Sequence, residues 1–351
     1  MTDLTLGHSP VHAALDFFDD QHPPAGDFLR DVLTGLAATP KSIPPVYFYD
    51  AAGSALFDQI TDLPEYYVTR TELALLDRIG PELARRAGPG AVVIEPGSGS
   101  SVKIRKLLSA LDQPAGYVGL DISGEHLIAS CDELARDYPG LHIGAICADF
   151  TTGLSLDHLP LPKGRRILFF PGSTIGNFEP DAARAVLASF RKGMREGDAI
   201  LIGADRVKSP QTLEAAYDDA QGVTAAFNMN LIARINSELD GTLDPALLKH
   251  ISVWNAEKSR IEMHLEALEA QQFQVAGQSF SLAKGERLHT ENSHKFTPES
   301  FQALARSAGF DLLQSWSDPA ELFSLHWLEP NGHRRRRSPR GNGSTGPRNS
   351  R

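Results

Sequence analysis

The sequence predicts an α/β fold built on a parallel β-sheet. Between residues 91 and 204, short apolar runs typical of buried strands alternate with amphipathic segments typical of helices. Such alternation produces a parallel sheet with helices on both faces. A glycine-spaced turn follows the first of these strands, which is where an α/β sheet binds ligands. With 351 residues, 41% of them hydrophobic, the chain is long enough for two domains, or for one domain with an insertion.

The individual elements follow from periodicity and from helix-breaking residues. An amphipathic helix at residues 25–39 is interrupted by three prolines, and an aromatic segment at 47–67 precedes a helix at 69–87. Five strands are then predicted at residues 91–95, 117–121, 141–148, 167–170 and 198–204, with helices at 102–111, 124–137 and 180–194. After Asp205 we expect helices at 211–236 and 243–250 and strands at 253–268 and 273–280. A helix at 298–307 and strands at 311–317 and 323–328 close the sheet as an antiparallel hairpin.

This order predicts two interleaved domains. Residues 81–205 and 296–330 would form a Rossmann-like cofactor domain, and residues 25–80 and 206–295 an inserted α+β domain that caps the pocket and binds substrate. Residues 1–24 are expected to be a flexible N-terminus. Residues 331–351 contain seven arginines and no acidic residue, so we expect a disordered basic tail.

Composition excludes several classes of function. The formal net charge of −10 becomes −17 for residues 1–330 once the seven tail arginines are removed, and so acidic a body repels nucleic acid. No apolar run is long enough to span a bilayer, and residues 1–24 do not resemble a secretory leader. Cys131 and Cys147 form no Cys-x-x-Cys pair, which favours a reducing compartment without structural zinc or disulfides. We expect a cytoplasmic monomer without membrane or nucleic-acid partners.

The glycine turn predicts a nucleoside-containing cofactor. In the run VVIEPGSGSS at residues 92–101, Gly97 and Gly99 allow a sharp turn and leave no Cβ in the way of a ligand. A dinucleotide site requires a third glycine at position 102, which is Val102, and a phosphate-binding P-loop requires Gly-Lys-Ser/Thr, which is absent. The acidic-x-Gly-x-Gly pattern therefore favours S-adenosylmethionine (SAM) over an ordinary strand-to-helix turn.

Acidic residues follow three successive predicted strands. Glu95 ends the first strand, Asp121 ends the second, and Asp149 with Phe150 follows the third. Asp121 would accept hydrogen bonds from both ribose hydroxyls, Asp149 from the adenine amino group, and Phe150 would cover the adenine ring. Each acid alone is more often a turn residue, but three at one sheet edge favour a cofactor site. Lys103 could pair with the methionine carboxylate or could be a solvated helix residue. The reaction requires no metal.

The segment after the fourth predicted strand is the candidate substrate site. Asn177 in the run FPGSTIGNF offers both a donor and an acceptor for an amino-acid carboxylate or amine, although it could also cap the following helix. Here the sequence resembles the histidine Nα-methyltransferases, which form hercynine on the route to ergothioneine. The resemblance spans residues 40–328 and rests on long motifs: FYDAAGS and LPEYY within 44–71, GSTIGN at 172–177, AYDD at 216–219, VTAAFN at 223–228, RIEM at 260–263 and TENSHKF at 290–296.

The resemblance implies SAM-dependent trimethylation of the α-amino group of L-histidine. It implies that Tyr66, Asn177 and Tyr217 hold the backbone of the substrate and that Tyr49 lies near the sulfonium. It also implies that Glu291 and Ser293 recognise the imidazole, with Met263 packed nearby. We assign catalysis to Tyr49 and Tyr66 as residues that position the amine, because a tyrosine is a poor base near neutral pH. The departures from the family pattern are Pro96, Asn292 and His294.

Three other interpretations remain open at this point. The acceptor could be another amino acid or aromatic amine, such as tryptophan or a prenylated derivative, although the pair of Glu291 and Ser293 disfavours it. The chain could be a SAM sensor, or an interaction module acting through its basic tail. Nucleic-acid methylation is disfavoured by the acidic body of the protein.

Overall fold

The computed structural model describes residues 14–22, 27–99, 102–153, 156 and 158–332. Within them, the strands are β1 (Phe17–Asp20), β2 (Val92–Pro96), β3 (Gly116–Asp121), β4 (His142–Cys147), β5 (Arg166–Phe170), β6 (Ala199–Asp205), β7 (Leu248–Asn255), β8 (Arg260–Ala267), β9 (Gln271–Val275), β10 (Gln278–Leu282), β11 (Arg287–His294), β12 (Phe310–Ser317) and β13 (Phe323–Pro330). The helices are α1 (Phe28–Ala37), α2 (Ala51–Thr61), α3 (Tyr67–Ala87), α4 (Val102–Ala110), α5 (Gly124–Asp137), α6 (Pro180–Gly193), α7 (Pro210–Tyr217), α8 (Val223–Glu238) and α9 (Pro298–Ser307).

The main sheet has eight strands in the order β1-β4-β3-β2-β5-β6-β13-β12. The first six are parallel, whereas β13 runs antiparallel to β6 and β12 antiparallel to β13. The chain runs outward from β2 in one direction through β3 and β4, and in the other through β5 and β6. Ligands of open α/β sheets bind at such a switch point, beyond the carboxyl ends of the strands. The predicted Rossmann-like α/β sheet, with its closing antiparallel hairpin, is confirmed.

Both faces of this sheet are buried, as a parallel sheet requires. In β5, Ile167 and Phe169 belong to one apolar core and Leu168 and Phe170 to the other. The first core includes apolar residues of α3, α4 and α5, and the second includes residues of α6 and α9. Because successive strand residues point to opposite faces, the apolar run in β5 serves both cores.

The remaining elements form an α+β region. Strands β11, β8 and β7 make a three-stranded antiparallel sheet, and β9 and β10 make a hairpin. Helix α8 packs against α2 from the N-terminal part of the chain and against β7 and β8. Residues 25–80 and 206–295 therefore contact each other, although their status as one separate domain stays a prediction.

Several predicted elements between residues 206 and 295 are wrong in detail. The helix expected at 211–236 is two helices, and Gly222, with a φ of +75°, precedes α8. The helix expected at 243–250 is a short 3-10 turn followed by strand β7, which is paired along its length with β8. The strands expected at 253–268 and 273–280 are each interrupted by a turn, at Ser259 (φ +50°) and Gly277 (φ +76°). Strand β11 was not predicted.

The expectation of a flexible N-terminus is wrong for residues 17–20. These residues form β1, which extends the main sheet by pairing in parallel with β4. Phe17 lies opposite Gly144, and a Cβ on Gly144 would come within 2.1 Å of the Phe17 ring. The missing side chain of Gly144 thus makes room for the edge strand. Residues 1–13, 23–26 and the tail from 333 onward lie outside the described residues. In the described part, no helix is both long and apolar enough to cross a membrane.

Candidate active site

The glycine turn lies at the switch point of the sheet. Strand β2 ends at Pro96, and Gly97 takes a φ of +70°, in the left-handed region that favours glycine. A side chain on Gly99 would meet no atom within 4 Å, so the space beside it is open. Ser100 and Ser101 of the motif lie outside the described residues. The turn has the positive φ and the open approach that a bound nucleoside requires.

Glu95 lies beneath this turn and is buried. It accepts a hydrogen bond of 2.8 Å from the Tyr117 hydroxyl, which is 2.9 Å from the Ser98 hydroxyl. Burial raises the pKa of Glu95 to about 7, although the Tyr117 hydrogen bond and Lys103 oppose the shift. One oxygen of Glu95 already accepts from Tyr117, which leaves the other oxygen without a partner among the described residues.

Asp121, Asp149 and Phe150 lie at the same edge of the sheet. Asp121 ends β3 and accepts a hydrogen bond from the backbone N–H of Ser123, and burial raises its pKa. Asp149 lies two residues beyond β4 and accepts from the backbone and hydroxyl of Thr151. A Cβ on Gly97 would lie 3.7 Å from the Phe150 ring, so the aromatic side chain borders the glycine turn. The structure places these predicted residues at the carboxyl ends of neighbouring strands, beside the glycine turn.

Two residues that sequence analysis missed complete this side of the site. Ile122, directly after Asp121, is 42% exposed at the carboxyl edge of the sheet, where an apolar side chain can cover a flat ring. Glu72 of α3 is fully buried, pairs with Lys103 at 2.7 Å and accepts from the backbone N–H of Gly172. The Lys103 ammonium already pairs with Glu72, so a cofactor carboxylate would have to share it with that residue.

These residues fit SAM. The open turn at Gly99 leaves room for the backbone to approach the ligand. Asp121 uses its Oδ1 for Ser123, which leaves its other oxygen for a ribose hydroxyl. Phe150 and Ile122 offer apolar surface, and the Lys103 ammonium offers a cation near the turn. The donor and acceptor types match those of a nucleoside joined to an amino acid.

Three tyrosines and an acid form the second half of the site. The Tyr66 ring lies 6.2 Å from the Tyr217 ring, and both residues are buried. Tyr49 is 45% exposed, as expected for a residue that lines an open cleft. Loss of hydration at the hydroxyl raises the pKa of all three tyrosines, although part of the Tyr49 side chain is exposed, and the charge of Glu291 adds to the shift in each. The four side chains therefore surround one space, and the tyrosines remain protonated near neutral pH.

Glu291 is the buried carboxylate of this cluster. It lies in β11 directly opposite Met263 of β8, so the two side chains share one face of the sheet. Only 8% of Glu291 is exposed, and its carboxylate forms no hydrogen bond with the residues that the structure describes. Burial raises its pKa to about 7, and Lys295 partly opposes the shift. A buried carboxylate without an internal donor calls for a donor from a ligand.

Asn177 is held against the strand that bears Glu291. It ends a 3-10 turn that follows β5, and this turn packs on β11. A Cβ on Gly176 would lie only 2.6 Å from the carbonyl oxygen of His294, so the contact requires glycine. The Nδ1 atom of His294 is 2.9 Å from the Gly176 carbonyl. The Asn177 amide has no hydrogen-bond partner in the described part of the chain, which leaves it available for a ligand.

Ser293 belongs to a buried polar network that sequence analysis missed. Its hydroxyl lies 2.8 Å from the Tyr217 hydroxyl and 2.8 Å from the Nζ atom of Lys295. Lys295 also lies 2.8 Å from Asp205, which ends β6 and accepts a hydrogen bond from Tyr67. Asp205 follows a strand just as Glu95 and Asp121 do, and that position could have identified it. In the described ranges, no cluster of three or more His, Cys, Asp or Glu could hold a metal ion.

Comparison with known proteins identifies the family of this chain. The profile of a family described as "Histidine-specific methyltransferase, SAM-dependent" matches residues 28–330. The chain is 43% identical to the histidine N-alpha-methyltransferase of Mycolicibacterium smegmatis, over 84% of this chain and 92% of that protein. It is 41% identical to the protein of the same name from Mycobacterium tuberculosis, with the same coverage.

A more distant relative acts on a different type of acceptor. The 4-dimethylallyltryptophan N-methyltransferase of Claviceps purpurea is 25% identical over 82% of this chain and 91% of that protein. The resemblance inferred from the sequence motifs is confirmed by the family profile and by the two mycobacterial relatives. The chain belongs to the family of SAM-dependent, histidine-specific methyltransferases.

Proposed function

We propose that this protein transfers methyl groups from SAM to the α-amino group of L-histidine, up to the trimethylated product hercynine, as a step of ergothioneine biosynthesis. The observation that carries the choice of substrate is the buried, unpartnered carboxylate of Glu291. An imidazole N–H satisfies that carboxylate, whereas a purely apolar side chain would leave it buried without a partner. Met263, opposite Glu291, provides apolar surface for the ring.

The remaining residues of the cluster would hold the amino-acid backbone. Asn177 and Tyr217 would bind the carboxylate, and Tyr66 and Tyr49 would align the amine. Because the pKa values of these tyrosines are raised, they act as hydrogen-bonding and packing groups and do not remove the proton.

SAM supplies a methyl group on a positively charged sulfur, which a nitrogen lone pair can displace in line. The task of the protein is then to orient the amine and to favour its neutral form. A site with little water disfavours an additional positive charge, and orientation alone contributes much of the rate enhancement in such reactions. On the opposite side of the cleft, the nucleoside and the methionine would be held by Glu95, Gly97, Lys103, Asp121 and Phe150. Asp149 would contact the adenine amino group.

Mass spectrometry tests the assignment. The protein is incubated with SAM and a pool of the common amino acids, and fragmentation locates any added methyl groups. We expect histidine alone to gain one, two and three methyl groups, all on the α-nitrogen. Methylation of tryptophan in place of histidine would contradict the choice of substrate, and SAM binding without turnover of any amino acid would indicate a sensor.

The cellular setting is also proposed from the sequence. Both cysteines are free and buried, which is compatible with a reducing cytoplasm. We propose a monomer that binds neither membranes nor nucleic acid. Gel filtration of the purified protein tests the monomer.

A further inference from the structure

The buried Lys295 limits what the neighbouring hydroxyls can offer a substrate. Its side chain is fully buried, and its Nζ atom lies 2.8 Å from each of three oxygens, in Asp205, Tyr217 and Ser293. A lysine ammonium has three hydrogens and no lone pair. All three hydrogens are therefore used, and the hydroxyls of Tyr217 and Ser293 must both act as acceptors towards Lys295.

The two hydroxyls also bond to each other, at 2.8 Å. Tyr217 and Ser293 have one hydrogen each, and their mutual bond uses one of the two. Neither hydroxyl has a further partner among the residues that the structure describes. The pair therefore presents one O–H donor to a ligand from one residue, and one acceptor from the other.

The substrate determines which of the two hydroxyls, that of Tyr217 or that of Ser293, donates its hydrogen to the other. This step rests on the proposed function. A carboxylate placed against Tyr217 accepts hydrogen bonds and cannot donate one. Tyr217 must then give its hydrogen to the carboxylate, and Ser293 must give its hydrogen to Tyr217. Ser293 is left with only an acceptor for the side-chain ring of the substrate.

Above about pH 7, where Glu291 is ionised and cannot donate, the ring then faces two acceptors. A neutral imidazole has a single N–H, and its second nitrogen would meet the lone pair of Ser293. We propose that the site binds the side chain of its substrate as a cationic ring with two N–H donors, an imidazolium in the case of histidine. One N–H bonds to Glu291 and the other to Ser293.

The surrounding charges are compatible with a cation in this position. The titratable groups around Glu291 are Tyr49, Tyr66, Tyr217 and Lys295, and the three tyrosines are neutral. Lys295 shares Asp205 with Lys208, at 2.8 Å and 2.6 Å, so its charge is balanced in part. Glu291 is the negative charge of the protein that faces the ring, and Lys295 opposes it in part. Lys295 acts as a positioning residue, because it removes one acceptor from each hydroxyl without touching the substrate.

Nitrogen NMR of bound histidine tests this inference. Histidine labelled with ¹⁵N in the ring is bound to the protein with S-adenosylhomocysteine at about pH 8, where about 97% of the free rings are neutral. We expect both ring nitrogens to show the chemical shift of protonated nitrogen. One protonated and one unprotonated nitrogen would overturn the inference.

The Glu291→Gln variant provides a second readout. A glutamine amide can donate to a ring nitrogen as well as accept, so the variant should bind the ring in its neutral form. The same shift pattern in both proteins would contradict the role given to Glu291. Glu266→Gln is the matched control, because Glu266 pairs with Arg287 on the neighbouring part of the same strand pair, and it should keep the wild-type pattern.

Calorimetry separates this inference from the proposed function. If histidine does not bind to the protein, both fail. If histidine binds and is methylated but its bound ring is neutral, the proposed function stands and only the inference about the ring fails. The wild-type spectrum alone tests the inference about the ring, even where the variant binds histidine too weakly to be measured.

Discussion

Replacing Glu291 with glutamine should stabilise the ligand-free protein above neutral pH. Burial raises the pKa of Glu291 from an ordinary 4.5 to about 7. A carboxyl group with a raised pKa in the folded state stabilises the protein fully below its unfolded pKa. That contribution is lost as the pH rises through the folded pKa. Above pH 7, the folded protein therefore holds a buried negative charge at a cost in stability, which glutamine avoids.

The pKa difference sets the size of the effect. Each pH unit between the two pKa values lowers the free energy of unfolding by about 1.4 kcal/mol. Ionisation of Glu291 should therefore destabilise the wild-type protein by about 3 kcal/mol at about pH 8. At about pH 5 most of this destabilisation is absent. Urea unfolding of both proteins at the two pH values, without histidine, measures the gain. Glu266→Gln serves as the control, because Glu266 is paired with Arg287 near the surface.

The reasoning would be refuted if Glu291→Gln were no more stabilising at the higher pH than at the lower one. Saturating histidine should reverse the advantage, because the ligand binds the wild-type folded state more tightly and stabilises it by mass action. A residue that weakens the empty protein and strengthens the complex is placed for binding and not for folding.

Three further outcomes are expected. Lys295→Met should destabilise the protein by about 3 kcal/mol in urea unfolding, since it leaves Asp205 with one fewer buried partner; the same change at the exposed Lys284 should cost less than about 0.5 kcal/mol. Asp121→Asn should weaken SAM binding about tenfold to hundredfold in calorimetry without lowering the unfolding midpoint, because the amide avoids a buried charge. Deleting residues 333–351 should leave the rate of histidine methylation unchanged, and a loss of rate would assign the tail a part in catalysis.

The cofactor half of the protein could be predicted from the sequence in some detail. Strands β2 to β6 are short apolar runs separated by amphipathic helices, and that local pattern determines both their type and their order. Glu95, Asp121 and Asp149 could be placed together because parallel strands end at the same sheet edge. The sequence did not reveal that Glu95 is already bonded to Tyr117, since that contact depends on side-chain orientation.

The capping region was harder to predict because its strands depend on tertiary pairing. Residues 245–250 contain alanine, leucine and lysine, which favour helix, yet β7 pairs along its whole length with β8. Long-range pairing of this kind overrides local propensity. The edge strand β1 was missed for a similar reason, since it depends on a glycine in β4 more than 120 residues away.

The buried network around Lys295 was the main feature that the sequence did not suggest. Lys295 lies 78 residues beyond Tyr217 in the chain, and neither Lys295 nor Asp205 stands out from an ordinary surface or core residue in the sequence. Ser293 was expected to face the imidazole, and the structure shows that its hydroxyl is also bonded to Lys295 and Tyr217. Its role in binding stays a prediction.

The central claim is that Glu291 recognises the side chain of histidine, and Glu291→Ala tests it most directly. Calorimetry would measure the affinities of the variant for histidine and for SAM separately. Loss of a charged hydrogen bond should weaken histidine binding by about 1.5–3 kcal/mol, or about tenfold to hundredfold, with SAM affinity unchanged. An equal loss for both ligands would contradict the account, since it would show that Glu291 supports the fold and does not read the substrate.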